Sequence, residues 1–221
     1  MSAKRVNAPV EYEMIDAHDS AVTKRVGLAL REGKLAVIPT DTVYGLAAHP
    51  GRPDAESRLF DAKGRDRNKP IALLAAGIDD VRTFGACLTP VDEALAARYW
   101  PGPLTLILPV PRSDGETRTE GFRVPNHPVA LAILRAAGGV LRVTSANASG
   151  RSPALTAKGS VDALAPYVDI VVNAGRVCGG VASTVVQISN NQAIVLREGA
   201  VAGHEISSCL EDSVALRRKA R

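Results

Sequence analysis

Four cations stand at alternate positions in the run Ala62-Lys63-Gly64-Arg65-Asp66-Arg67-Asn68-Lys69-Pro70: Lys63, Arg65, Arg67 and Lys69, opposed by Asp66 alone. Arginine makes forked hydrogen bonds to phosphate and carboxylate oxygens, and lysine adds a compact charge, so the run suits a polyanion. Gly64 would let backbone approach a ligand closely. The same run also reads as a solvated surface loop. Far downstream, Ser145-Ala146-Asn147 follows the apolar stretch Val140-Leu141-Arg142-Val143-Thr144. A hydroxyl and an amide at a strand end can clamp a ligand, because together they donate and accept. Ser and Asn also favour ordinary turns, which is the competing reading. Thr40-Asp41-Thr42 has the same two readings, ligand loop or self-capping turn. Ser183-Thr184-Val185-Val186, after Gly179-Gly180, reads as a flap or a strand start.

Arg123 lies between the apolar residues of Phe122-Arg123-Val124-Pro125. A buried Arg there needs an internal carboxylate or an anionic ligand. Arg197, in Leu196-Arg197-Glu198-Gly199, poses the same question, with Glu198 as one possible partner. The four histidines are scattered and suggest surface or packing roles rather than catalysis. G-x-x-x-x-G-K-[ST], G-x-G-x-x-G and G-x-S-x-G are all missing. A nucleotide would therefore be held by side-chain cations and loops rather than by a common phosphate loop.

These groups need elements to hold them. Apolar periodicity predicts a helix over 20–32, capped by Asp19 or Ser20 and ended by Gly33. Pro53 suits the first turn of a helix running to about Lys63, which Gly64 then breaks. Further helices are expected after Thr89-Pro90, with a stripe of Val91, Leu95 and Tyr99, and after Pro128. Buried strands are expected at 35–38, 71–76, 104–108, 121–125, 140–144, 168–173, 184–188 and 193–197. The alternation of strands and helices implies an α/β or α+β domain on one large sheet. The expected division is one domain over 15–205, with 206–221 as a C-terminal helix or basic tail.

The net charge of +4 is carried by Arg217, Arg218, Lys219 and Arg221, so the body of the chain is neutral. That argues against a broad nucleic-acid face, as does an aromatic content of 4%. No apolar run is long enough to span a membrane, and Met1 to Asp19 lacks a signal-peptide core, so a cytoplasmic address is the expectation. Cys87, Cys178 and Cys209 form no C-x-x-C pair and no metal-ligand spacing, and are expected to be reduced structural thiols. No metal site is expected from the sequence.

Taken in order, the segments Pro39-Thr40-Asp41-Thr42-Val43-Tyr44-Gly45-Leu46, Lys63-Gly64-Arg65, Trp100-Pro101-Gly102-Pro103-Leu104-Thr105, Arg123-Val124-Pro125, Ser145-Ala146-Asn147, Ser183-Thr184-Val185-Val186 and Leu196-Arg197-Glu198-Gly199 resemble the YrdC-like family of L-threonylcarbamoyladenylate synthases. The resemblance implies a single α/β domain with a large twisted mixed sheet and a positively charged cavity. It implies synthesis of threonylcarbamoyl-AMP from L-threonine, bicarbonate and ATP, with release of pyrophosphate and magnesium on the phosphates. The product would pass to a tRNA threonylcarbamoyl-transferase complex that modifies the adenosine beside the anticodon. By the same resemblance, Lys63 and Arg65 are catalytic. ATP would be bound by Lys63, Arg65, Arg67, Ser145, Asn147 and Arg197, and L-threonine by Thr40, Arg123, Thr144 and Ser183. Leu74, Asn173 and Gln187 depart from the family pattern, where His, Asp and an acid are found in some relatives. The chain's end at 221 implies the short, single-domain type. Two other readings compete: a carbamoyl-transfer domain like those of hydrogenase maturation, and a non-catalytic protein binding tRNA or another RNA weakly through its basic run and tail.

Overall fold

The computed structural model describes residues 12–210 except Arg65, Asn68, Ser149 and Asn191. The basic tail lies outside the described residues. Ten strands form one mixed sheet: β1 (Glu13–Asp16), β2 (Ala36–Ile38), β3 (Gly45–Ala48), β4 (Leu73–Ala75), β5 (Leu104–Pro111), β6 (Thr117–Arg123), β7 (Val140–Ser145), β8 (Ile170–Asn173), β9 (Thr184–Ser189) and β10 (Gln192–Arg197). Their order across the sheet is β1-β8-β2-β3-β7-β4-β6-β5-β9-β10. The pairs β1–β8, β2–β8, β4–β6 and β5–β9 are parallel, and the rest are antiparallel. The helices are α1 (Val22–Arg31), α2 (Pro53–Lys63), α3 (Ile78–Thr83), α4 (Pro90–Tyr99), α5 (Pro128–Ala137) and α6 (Ala157–Leu164).

Local chemistry explains the helix ends. α2, α4 and α5 each start on a proline, whose missing N–H is not needed in a first turn. Thr89 and Asp92 form a reciprocal capping box on α4. Gly64 and Gly138 end α2 and α5 in the left-handed conformation, at φ +55° and +105°. Asp19 accepts a hydrogen bond from Ala21 N one turn ahead of α1, so the cap begins a residue later than the sequence suggests.

Successive strand residues point to opposite faces, and the core divides accordingly. On one face α1 and α5 pack against Ala36, Ile38, Leu74, Leu141, Val143, Ile170 and Val172. On the other, α2 and α6 cover Val37, Leu46 and Val171, while α3 and α4 cover Leu73, Leu106 and Phe122. The α1–α5 layer stops near β4. Beyond it the first face is left open as a cavity.

Elements at β1, β3, α3 and α6 were not expected from sequence. The expected division at 205/206 falls inside a helical segment that begins at 203, and Ile206 is buried against the α3–α4 core. The three cysteines form no disulfide, but Cys87 and Cys178 are exposed, so of the three Cys209 alone packs against the core. No helix among the described residues is long and apolar enough to cross a membrane.

Candidate active site

The open stretch of sheet encloses a cavity of about 570 Å³, within the range of small-molecule sites. Leu74 and Val143 belong both to its wall and to the α1–α5 core, so the cavity continues that sheet face where helical cover ends. Small residues hollow its floor. A Cβ on Gly45 would stand 2.5 Å from Val143 Cγ1. One on Gly121 would meet Thr105 Cγ2 at 3.2 Å and Ile107 Cδ1 at 3.3 Å.

One wall is the loop from β2 to β3. Thr40 Oγ1 donates to Val43 O at 2.6 Å and accepts from Thr42 N at 3.2 Å. The self-capping turn and the ligand loop are therefore the same structure: Thr40 and Thr42 close the turn and also line the cavity. Gly180 N donates to Thr42 O at 2.7 Å. Gly179 lies so close to the Asp41 and Thr42 carbonyls that no Cβ fits. Behind the loop, buried Tyr44 donates to Gly175 O at 2.8 Å and accepts from Ala174 N at 3.0 Å. Burial raises its hydroxyl pKa above 10.0.

Arg123 reaches this wall from the end of β6. Its Nε donates to Gly102 O at 3.0 Å, one terminal nitrogen to Thr42 Oγ1 at 2.9 Å, and the other to Asp41 Oδ1 at 2.5 Å. Of the two partners that the sequence left open, an internal carboxylate or an anionic ligand, Asp41 is the first. Each terminal nitrogen keeps a second N–H, and the guanidinium lines the cavity. Burial lowers the Arg123 pKa, Asp41 opposes that shift, and the like charge of Arg197 adds to it. Arg197 lines the cavity from β10 and donates to Ser183 O at 2.8 Å. Ser183 Oγ lies 2.8 Å from Thr105 Oγ1, a contact that ties β9 to β5. Thr144 and Ser145 line the cavity from β7.

Lys63 is turned inward. It is 4% exposed, and its Nζ donates to Ser145 O at 2.7 Å, Ser145 Oγ at 3.3 Å, Asn147 Oδ1 at 3.2 Å and Asn147 O. The Asn147 amide donates to Ala148 O at 2.9 Å and Arg151 O at 2.6 Å. Lys63 and Asn147 therefore shape the loop that presents Ser145, and neither lines the cavity. Arg67 lies against α2, donating to Ser57 Oγ at 2.9 Å and Asp61 Oδ1 at 3.1 Å, away from the cavity lining. Arg65 lies outside the described residues. Of the departures, Leu74 lines the cavity, whereas Asn173 and Gln187 do not. The sequence placed Asp41 and Thr42 only within a ligand loop or turn, and it assigned no individual role to Asp41, Thr42 or Thr105. Their signal was the need of Arg123 and Ser183 for partners, which composition could not assign to particular residues.

The arrangement can hold an anion between two guanidinium groups, beside hydroxyls and an apolar floor. Among the described residues, its lining holds no Cys, His, Lys, Asp or Glu side chain. The Sua5/YciO/YrdC family model, described as telomere recombination, matches residues 28–199. The threonylcarbamoyl-AMP synthase of Pyrococcus abyssi is 33% identical over 186 residues, 82% of this chain and 55% of that protein. That of Bacillus subtilis is 32% identical over 216 residues, 95% of this chain and 62% of that protein. The structure of P. abyssi Sua5 complexed with L-threonine superposes with a TM-score of 0.81 at 30% identity, covering 90% of this chain and 60% of that one. The chain thus spans less than two thirds of the length of these relatives.

Proposed function

This chain belongs to the Sua5/YciO/YrdC family, and from that membership we propose that it makes threonylcarbamoyl-AMP from L-threonine, bicarbonate and ATP. The threonine amine adds to carbon dioxide derived from bicarbonate, giving a carbamate. A carbamate oxygen attacks the α-phosphorus of ATP, and pyrophosphate leaves with the electrons of the broken P–O bond. Protein nucleophiles play no part, so the chain's contribution is positioning and charge stabilisation. The product would serve a tRNA threonylcarbamoyl-transferase complex.

The observation that carries this reading is the cavity-lining Arg123. Each terminal nitrogen has one N–H beyond its bond to Thr42 or Asp41, available to a carboxylate, and the hydroxyls of Thr40 and Ser183 stand in the same lining. Arg123, Thr40, Thr144 and Ser183 are assigned to L-threonine, and Ser145 and Arg197 to the nucleotide. Arg65 keeps the phosphate role implied by the family motif. Lys63 and Asn147 act through the loop they hold. Among the described residues, no group of three or more His, Cys, Asp or Glu side chains could hold a metal. Magnesium would be carried chiefly by the triphosphate oxygens, as is usual for that ion with nucleotides. The test is pyrophosphate release from ATP with each substrate withheld in turn. The reading expects release only when L-threonine and bicarbonate are both present, and release indifferent to threonine would sink it.

A further inference from the structure

Arg142, on β7, is almost wholly buried and touches three separate parts of the chain. Its Nε donates to Glu56 of α2 at 2.7 Å. One terminal nitrogen donates to Ile71 O at 2.6 Å and to Glu120 Oε2 at 3.0 Å, and the other to Glu120 Oε1 at 3.1 Å. Glu120 is 8% exposed and Glu56 27%. Burial works against the Arg142 charge, but hydrogen bonds and charge from Glu120, then Glu56, outweigh it and raise its pKa.

The partners' positions are informative. Glu56 and Ile71 bracket the second half of α2 and the basic run. One guanidinium therefore closes the base of this excursion, and Ile71, like Pro70 and Ala72, lines the cavity. The far side of the excursion is held by Lys63 on Ser145 and Asn147. Arg142 and Ser145 both belong to β7, so a single strand grips the basic segment twice. A buried ion network is commonly no more stable than packed apolar side chains, so stability alone does not account for it.

We propose that Arg142 is a positioning residue: with Glu56 and Glu120 it fixes the two ends of the segment between α2 and β4, so that Pro70, Ile71 and Ala72 keep their place in the cavity wall and Arg65 serves the phosphates of ATP. The ATP part rests on the function proposed above; the clamp itself does not. In the variant Glu56→Met/Glu120→Leu/Arg142→Met, all three charges are removed together, so none of them is left buried and unpaired, and Arg118, which also pairs with Glu120 at 3.3 Å, is exposed enough to be solvated. Trypsin cleavage after Lys63 and Arg67 should rise about tenfold or more, and KM for ATP about tenfold, with KM for L-threonine within about twofold of wild type. Loss of stability alone would not split the two KM values in this way. Glu56→Gln should show the same pattern more weakly, and it carries the test if the triple variant does not fold. Unchanged cleavage in a folded variant overturns the proposal, as does faster cleavage with unchanged KM for ATP in an active enzyme. Faster cleavage in a chain whose wild type releases no threonine-dependent pyrophosphate supports the clamp and overturns the catalytic reading instead.

Discussion

Replacing Lys63 by methionine separates two roles for the same residue. A lysine whose work is to touch phosphate can be removed with little effect on folding. A lysine that ties the Ser145–Asn147 loop cannot. The Nζ sits among the Ser145 carbonyl and hydroxyl and the Asn147 carbonyl and amide oxygens. Methionine keeps much of the volume but leaves both carbonyls without this donor, at about 1–3 kcal/mol for each buried group. Relief of the buried ammonium's desolvation offsets part of that loss. A net destabilisation of about 2–4 kcal/mol follows, a large share of a total stability of about 5–15 kcal/mol. With a urea slope of about 1–3 kcal/mol per molar, the unfolding midpoint should fall by about 1 M or more. Fluorescence of Trp100, the chain's one tryptophan, reports the transition. A midpoint within about 0.3 M of wild type, with KM for ATP strongly raised, would refute the tether and return Lys63 to direct phosphate contact.

Three further outcomes are expected. Arg123→Lys loses the fork that holds Thr42 and Asp41, so KM for L-threonine should rise about tenfold or more while KM for ATP moves less than about threefold; equal changes in both would contradict the carboxylate assignment. Tyr44→Phe removes the partner of Gly175 O and Ala174 N and should cost about 1–3 kcal/mol in chemical denaturation. Because the folded tyrosine has its pKa raised above 10.0, the wild type should also lose stability as pH climbs past that value, and Tyr44→Phe should lose less. His127 has a buried Nδ1 without a partner among the described residues, and burial lowers its pKa below 6.5 although Asp41 opposes the shift. Its contribution to stability is present above pH 6.5 and lost as pH falls through the folded pKa, so His127→Gln should flatten the acid side of a melting-temperature profile.

Local chemistry was legible in the sequence wherever a single residue decides. Pro53, Pro90 and Pro128 marked helix starts, and Gly64 a helix end, because their backbone constraints act without distant partners. The apolar runs at 36–38, 73–75 and 140–144 were legible as strands because both their faces are buried. β3 was not, since Gly45-Leu46-Ala47-Ala48 carries no strand preference and pairs only because β2 and β7 flank it. β1 and α6 escaped for a similar reason, being fixed by neighbours distant in sequence.

The sequence by itself determined the inventory of charges and hydroxyls, the order of the motifs and the need of Arg123 for an anionic partner. Only tertiary structure decided where the cations point. Lys63 reads as an exposed phosphate ligand in the chain, yet it is buried because the Ser145–Asn147 loop offers it several oxygens at once. Arg142 passes unnoticed between Leu141 and Val143, yet it joins α2, the cavity wall and β6. A charged side chain's role is set by whichever oxygens folding brings within about 3 Å, and those lie 81 to 84 residues away for Arg123 with Thr42 and Lys63 with Asn147. That separation is invisible to spacing and is resolved only when the sheet brings β7, β6 and the β2–β3 loop together.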